Sequence, residues 1–184
     1  DVSSSDLTLS NAAAITAKTT ASGSGGTINL DADTLSLSGS SSLSTKTSGS
    51  GQGGSFNLNH SNPRDLRLSL DAGSSINSLT DSTGNGGTIN LGTSGKALSI
   101  SGPGTITAQT TSSGNGGLFN LYGSTISLSN GAILTAQTSA LNNGGNGGTF
   151  NLDECGGLSG EDGTIAQTSA LNNGGNGGTF NLDA

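Results

Sequence analysis

The sequence predicts an all-β solenoid, a parallel β-helix with three short strands in each rung of about 30 residues and about six rungs. A motif Gly-Gly-x-Ile/Phe-Asn-Leu recurs six times in 184 residues, ending at Leu30, Leu58, Leu91, Leu121, Leu152 and Leu182, at steps of 28, 33, 30, 31 and 30. Each unit also carries segments in which apolar and polar residues alternate. Only 29% of the chain is apolar and 3% aromatic, against about 45 to 50% apolar in an ordinary globular domain, so a layered globule would lack a core. Units this small and polar bury little alone and must stack on their neighbours.

The first strand of a unit is the shared motif, as in Thr27-Ile28-Asn29-Leu30, where Ile28 and Leu30 point one way and Thr27 and Asn29 the other. The second is a pair of aliphatic residues two apart: Leu7 and Leu9, Leu35 and Leu37, Leu66 and Leu68, Leu98 and Ile100, Ile126 and Leu128. The third begins with Ile15, Leu43, Ile76, Ile106 or Leu134 and runs into a stretch like Thr-Ala-Gln-Thr. Alternation of this length, bounded by Gly, Ser and Asn, reads as strand and not as helix. Equivalent strands pairing at about 4.8 Å per rung give a rod of about 30 Å. Its narrow interior needs one or two aliphatics per strand, and neither Trp nor Met occurs. The Gly-Gly pairs, such as Gly86-Gly87 and Gly147-Gly148, are expected to supply the φ > 0 geometry of the corner before the first strand. Disorder, the competing reading of a Gly- and Ser-rich chain, is opposed by the fixed apolar positions, a charged content of only 9% and two prolines.

The run Gly-Asn-Gly-Gly-Thr-Ile-Asn-Leu at 84–91, followed by Leu-Ser-Ile-Ser and then Thr-Ala-Gln-Thr at 107–110 and 135–138, resembles the repeat region of filamentous-haemagglutinin-like exoproteins. The resemblance covers nearly the whole chain through motifs of low complexity. It implies a right-handed β-helix, export across an outer membrane by a partner transporter, and a role as a bacterial surface adhesin or fibre. That family's amino-terminal secretion domain is not evident.

Residues 1–184 form one β-helical unit, beginning partway through a repeat and stopping just after a first-strand motif, with no polar cap at either end. Open solenoid ends expose unpaired strand edges, so further repeats or copies of the chain are the expected neighbours. No signal-peptide pattern and no run of about 18 apolar residues is present. The blocks 136–153 and 166–183 are identical, offset by 30. Between them the expected second strand fails over 153–163, register returns near Ala166, and Asp153, Glu154, Glu161 and Asp162 crowd together. A hard-cation loop needs several oxygens at set positions, and no such template fits.

Catalysis is not expected. Carbohydrate-active β-helices cluster carboxylates on one face, whereas Asp31, Asp33, Asp65, Asp71 and Asp81 fall mostly one or two to a rung. The third unit is lengthened by an irregular stretch holding the sole histidine, His60, beside Pro63, Arg64 and Asp65. That stretch, with Asp65 and His60, is where a polysaccharide-degrading enzyme, the alternative reading, would place its chemistry. Cys155 is single, so no disulfide forms within the chain, and its acidic neighbours disfavour the thiolate. Gly-Gly-Asn-Gly-Gly-Thr at 144–149 lacks the Asp and the nine-residue period of calcium-binding repeats. No phosphate loop leads into a helix, and no cofactor or metal site is expected. A net charge of −7 disfavours nucleic acid and anionic membranes as partners.

One repeated surface invites a binding hypothesis. Alternation in the third strand sends Ile15 and Ala17 inward and Thr16 and Lys18 outward, with Ser44 and Lys46, Thr107 and Gln109, and Thr135 and Gln137 above them. The candidate surface ladder is therefore Thr16, Lys18, Lys46, Thr107, Gln109, Thr135 and Gln137. Such a ladder suits a repetitive ligand such as a surface glycan. Ice binding would demand Thr-x-Thr in every rung, for which Thr45 and Thr47 are the candidate pair, and Lys18 beside Lys46 and Leu79 breaks the regularity. The expected whole is an extracellular shaft of a secreted bacterial fibre or adhesin, acting mechanically.

Overall fold

The computed structural model describes residues 1–59, 63–81, 83–111, 113–138, 145–154, 158–160, 165–170 and 176–183. Among them nineteen strands and no helix occur. The first rung holds β1 (Val2–Ser3), β2 (Asp6–Leu9) and β3 (Ala14–Thr19), and the second β4 (Thr27–Asp31), β5 (Thr34–Leu37) and β6 (Ser42–Thr47). The third holds β7 (Ser55–Leu58), β8 (Leu66–Leu70) and β9 (Ser75–Thr80), the fourth β10 (Thr88–Gly92), β11 (Ala97–Ser101) and β12 (Thr105–Thr110). In the fifth lie β13 (Leu118–Gly123), β14 (Thr125–Ser129) and β15 (Ile133–Thr138), and in the sixth β16 (Thr149–Glu154), β17 (Leu158–Gly160) and β18 (Ile165–Ala170). Beyond them β19 (Thr179–Asp183) continues the first-strand stack. Every pairing is parallel between a strand and its equivalent one rung away, giving one sheet of seven strands and two of six. The chain is a three-sided parallel β-solenoid.

Alternation places the apolar columns inside. Ile28, Phe56, Ile89, Phe119 and Phe150 pair in sequence, as do Leu30, Leu58, Leu91, Leu121 and Leu152, and all are buried. The upper phenylalanines stack nearly flat, with Phe119 and Phe150 centroids 4.9 Å apart at 8°. Rung spacing thus dictates an offset-stacked geometry that aromatic rings favour. Leu43, Ile76, Ile106 and Leu134 form the third-strand column, each fully buried.

The second-strand sheet departs from the simple pairing of aliphatic pairs. Leu35 and Leu37 oppose Leu68 and Leu70, while Leu66 and Leu68 oppose Leu98 and Ile100. The longer β8 accordingly uses three inward leucines, Leu66, Leu68 and Leu70, each 1% exposed, to join two registers offset by two residues. An offset of two preserves which face each residue occupies, whereas an offset of one would turn the leucines outward. The same rule operates in the duplicated region. There Ala136 opposes Thr168, a separation of 32 residues, although Phe150 opposes Phe180 at 30. The expected failure of the second strand is also corrected: Leu158 and Ser159 pair with Ile126 and Ser127, and Gly160 takes the place opposite Leu128.

Glycine's role differs from the expectation too. The left-handed residues lie chiefly at the corner between second and third strands, at Asn11, Ala12, Gly39, Ser40, Gly73, Gly102, Asn130 and Gly131, and not at the Gly-Gly pairs. Two successive positive φ values, as at Asn130 (54°) and Gly131 (80°), are the signature of a tight type I′ turn. The Gly-Gly pairs are required by proximity instead. A Cβ on Gly117 would stand 2.6 Å from both the Ala108 Cβ and the Gly87 carbonyl oxygen, and one on Gly148 would stand 2.7 Å from the Ala136 Cβ. Gly117→Ala is expected to lower unfolding stability by about 2 to 3 kcal/mol through overpacking. Gly95→Ala, in open space at φ +79°, should cost about 1 kcal/mol from its backbone conformation alone. Urea unfolding followed by circular dichroism measures both, and equal effects would show that crowding at Gly117 is not the constraint.

Candidate functional site

The third-strand face presents two outward columns. Thr16, Ser44, Asn77, Thr107 and Thr135 occupy one, and Lys18, Lys46, Leu79, Gln109 and Gln137 the other. The register brings together all seven residues singled out from the sequence, with Asn77 and Leu79 interposed between Lys46 and Gln109. Thr16 and Lys18 are exposed, and the rest of both columns is half-buried. Lys18 and Lys46 are neighbours at strand spacing, about 4.8 Å, and the Lys46 Nζ lies 2.5 Å from an Asp81 carboxylate oxygen. Both side chains keep more than a third of their surface in water (37% and 36%), so this pair contributes little to stability. Thr45 and Thr47, the one pair noted as having the Thr-x-Thr spacing that ice binding would demand in every rung, point inward and are fully buried. The Thr45 hydroxyl donates to Ser78 Oγ (3.0 Å), and the Thr47 hydroxyl to the Gln52 carbonyl (3.1 Å). On the outer face the Thr-x-Thr pair is Thr105 and Thr107.

The most regular polar array lies on the first-strand face and was missed from the sequence. Asn29, Asn57, Asn90, Asn120, Asn151 and Asn181 stand above one another, and each Nδ2 donates to the Oδ1 of the asparagine one rung nearer the amino terminus, at 2.6 to 2.7 Å. Asn29 closes the row by donating to an Asp1 carboxylate oxygen at 2.7 Å. Every internal amide gives and accepts one bond in the same direction, so the dipoles add and polarise one another. The signal was in the sequence, as the invariant Asn of the repeated motif.

A second asparagine row lies at the corner before the first strand. The Asn85, Asn115 and Asn146 Oδ1 atoms accept the backbone N–H of Asn115, Asn146 and Asn176, at 2.9, 2.9 and 3.0 Å. Asn115, Asn146 and Asn176, with Thr149 and Thr179, line a shallow, predominantly polar groove along this edge. Asn59 performs a buried version of the same task. At φ 55°, its Oδ1 accepts the Ala32 N–H (2.6 Å) and its Nδ2 donates to the Ala32 carbonyl (2.5 Å). The amide thereby replaces the pair of backbone bonds that buried Ala32 would otherwise lack.

The acidic residues are dispersed among structural tasks. Asp33 meets Arg64 at 3.4 Å, Asp65 accepts the Ala97 N–H at 3.0 Å, and Asp81 also accepts from the Thr111 hydroxyl at 3.4 Å. His60, Cys155, Glu161 and Asp162 lie outside the described residues. Among the described residues no three of His, Cys, Asp and Glu come together as a metal-binding group, and no helix is long and apolar enough to cross a membrane. The chain matches no protein-family model, no curated protein and no solved structure.

Tyr122 is the only tyrosine, and no tryptophan is present. It is half-buried and opposes Asp153 in the adjacent rung. Desolvation chiefly, and the Asp153 carboxylate secondarily, raise its pKa above 10.0, because each disfavours the phenolate. A pKa raised on folding gives stability that is complete below the unfolded value and declines as pH climbs through the folded one. Ultraviolet titration of the native protein therefore should place the phenolate transition above that of the unfolded chain. Asp153→Asn should bring it part of the way down, and superimposable native and unfolded curves would contradict this environment.

Proposed function

We propose that this chain is part of the shaft of a secreted, cell-surface fibre or adhesin of the filamentous-haemagglutinin-like kind that its repeats resemble, without catalytic activity. The observation that carries this reading is the unbroken asparagine row, which repeats one contact through six successive strands of the same face. A surface built this way offers translation along an axis instead of a single convergent site. Tension along the rod is directed along the inter-strand hydrogen bonds and shared among three ladders and their side-chain rows. Rod stiffness follows from the close approach of rungs at the glycine pairs, which leaves no room for sliding.

Contacts with the surroundings fall to the outward columns, where hydroxyls, amides and amines recur at strand spacing. Thr107, Gln109, Thr135 and Gln137 form the most uniform part of them. Surface glycans are the partners that such neutral polar rows fit, while neighbouring repeats or further copies of the chain are the partners along the axis. The net charge of −7 sets this surface against nucleic acid and anionic lipid. Immunogold labelling of intact source cells with antibodies against the folded protein is expected to decorate extracellular fibres. Label that enters only permeabilised cells would overturn the proposal.

A further inference from the structure

The corner before the first strand carries Asn-Gly-Gly at 85–87, 115–117, 146–148 and 176–178, followed by Thr88, Leu118, Thr149 and Thr179. Glycines between the asparagine row and the threonine row add no side chains of their own. A groove of about 290 Å³ is left there, with Asn115, Asn146 and Asn176 along one side and Thr149 and Thr179 along the other. Leu118, which stands between Thr88 and Thr149 in the register, interrupts the row of hydroxyls.

Bonds between rungs use up one half of the hydrogen-bonding capacity of this corner. The Oδ1 atoms of Asn115 and Asn146 accept a backbone N–H of the next rung, at 2.9 and 3.0 Å. Their main-chain carbonyls accept the N–H of Gly86 and Gly116, both at 2.8 Å. Their Nδ2 groups and the Thr149 hydroxyl have no partner among the described residues. Both asparagines are exposed. The groove therefore turns a line of donors to solvent, repeated at the strand spacing of about 4.8 Å. Among the described residues no charged side chain and no aromatic ring lines it.

We propose that this groove binds an extended, neutral oligosaccharide lying along the rod axis. The sugar hydroxyl and ring oxygens accept from the Nδ2 groups of Asn115 and Asn146, and the Thr149 hydroxyl both gives and accepts. The inference rests on the reading of the chain as a surface that meets glycans, and it adds a site at a corner to the outward columns of the third strand. Each sugar along such a chain presents acceptors, so a repeated ligand meets a repeated line of donors. An acidic glycan would find no cation here and would approach a chain of net charge −7. A lipid or an apolar peptide would find no hydrophobic wall.

The test is a titration of the ¹⁵N-labelled chain with the hexamer of β-1,4-linked glucose, followed through the asparagine side-chain amide signals. Those of Asn115 and Asn146 should shift and saturate, while those of Asn57 and Asn90, already spent within the first-strand row, should stay in place. Asn146→Asp keeps an oxygen for the Asn176 N–H and replaces the free donor by an acceptor. Thr149→Val removes the hydroxyl at similar shape. Each should weaken binding about twofold to tenfold, the effect of one hydrogen bond, and the hexamer of galacturonic acid should bind more weakly than the glucose hexamer. No saturable shift in the unmodified chain, equal or tighter binding of the acidic hexamer, or unchanged affinity in both variants would each overturn the inference. Such a failure leaves the fibre reading to its own test, since antibody labelling of cells does not depend on this groove.

Discussion

Parallel pairing of each short strand with its equivalent one rung away is the constraint from which the other features follow. Three sheets facing one another across a narrow interior leave space for aliphatic and phenylalanine columns and little else. Because the partner of every residue is its counterpart in the repeat, a side chain that suits one rung must suit the next. Identical residues then gain from stacking: leucine on leucine inside, asparagine on asparagine outside, and phenylalanine rings at 4.9 and 5.4 Å where the upper rungs carry them in succession. Long-range contacts are in this sense local to the repeat, and stability accumulates rung by rung.

Variation is tolerated where it respects the two-residue period. The register of the second-strand sheet changes by two residues at β8, whose three inward leucines belong to two registers at once. The separation of 32 in the last third-strand pairing, beside 30 in the first-strand pairing, is another even adjustment. Odd shifts would have turned apolar columns to solvent and are not used in these pairings. Corners are less forgiving. The glycine pairs bring backbone to backbone between rungs, and the inward threonines at the third-strand ends, Thr47, Thr80 and Thr138 among them, donate to corner carbonyls that the strand ladders cannot reach.

The fold was legible because its signal is redundant: six copies of one motif, and period-two alternation with leucine or isoleucine always on one side. Which strands pair was legible for the same reason. What escaped was whatever depends on the third dimension within a corner. Thr45 and Thr47 read as a surface pair by their spacing, but the strand's phase places them inside, and only their hydroxyl partners make that burial tolerable. The Gly-Gly pairs read as turn formers because glycine usually marks a positive φ. Here it marks the absence of room for Cβ, which no single sequence displays. The asparagine row was overlooked because attention went to the more varied third strand, although the repeated Asn of the motif carried the signal. Sites that would require chemistry beyond this repetition, at His60 and Cys155, lie outside the described residues.

The central claim is that equivalent residues stand one rung apart along a single axis. Spin labels attached at Thr16→Cys in combination with Thr107→Cys or Thr135→Cys, in a Cys155→Ser background, measure this spacing directly by pulsed electron spin resonance. These positions are three and four strand steps apart in one column, so mean separations of about 14 and 19 Å are expected from the strand spacing, with narrow distributions. Broad distributions, or separations that do not grow by one strand step between the two pairs, would contradict the stacked-rung account.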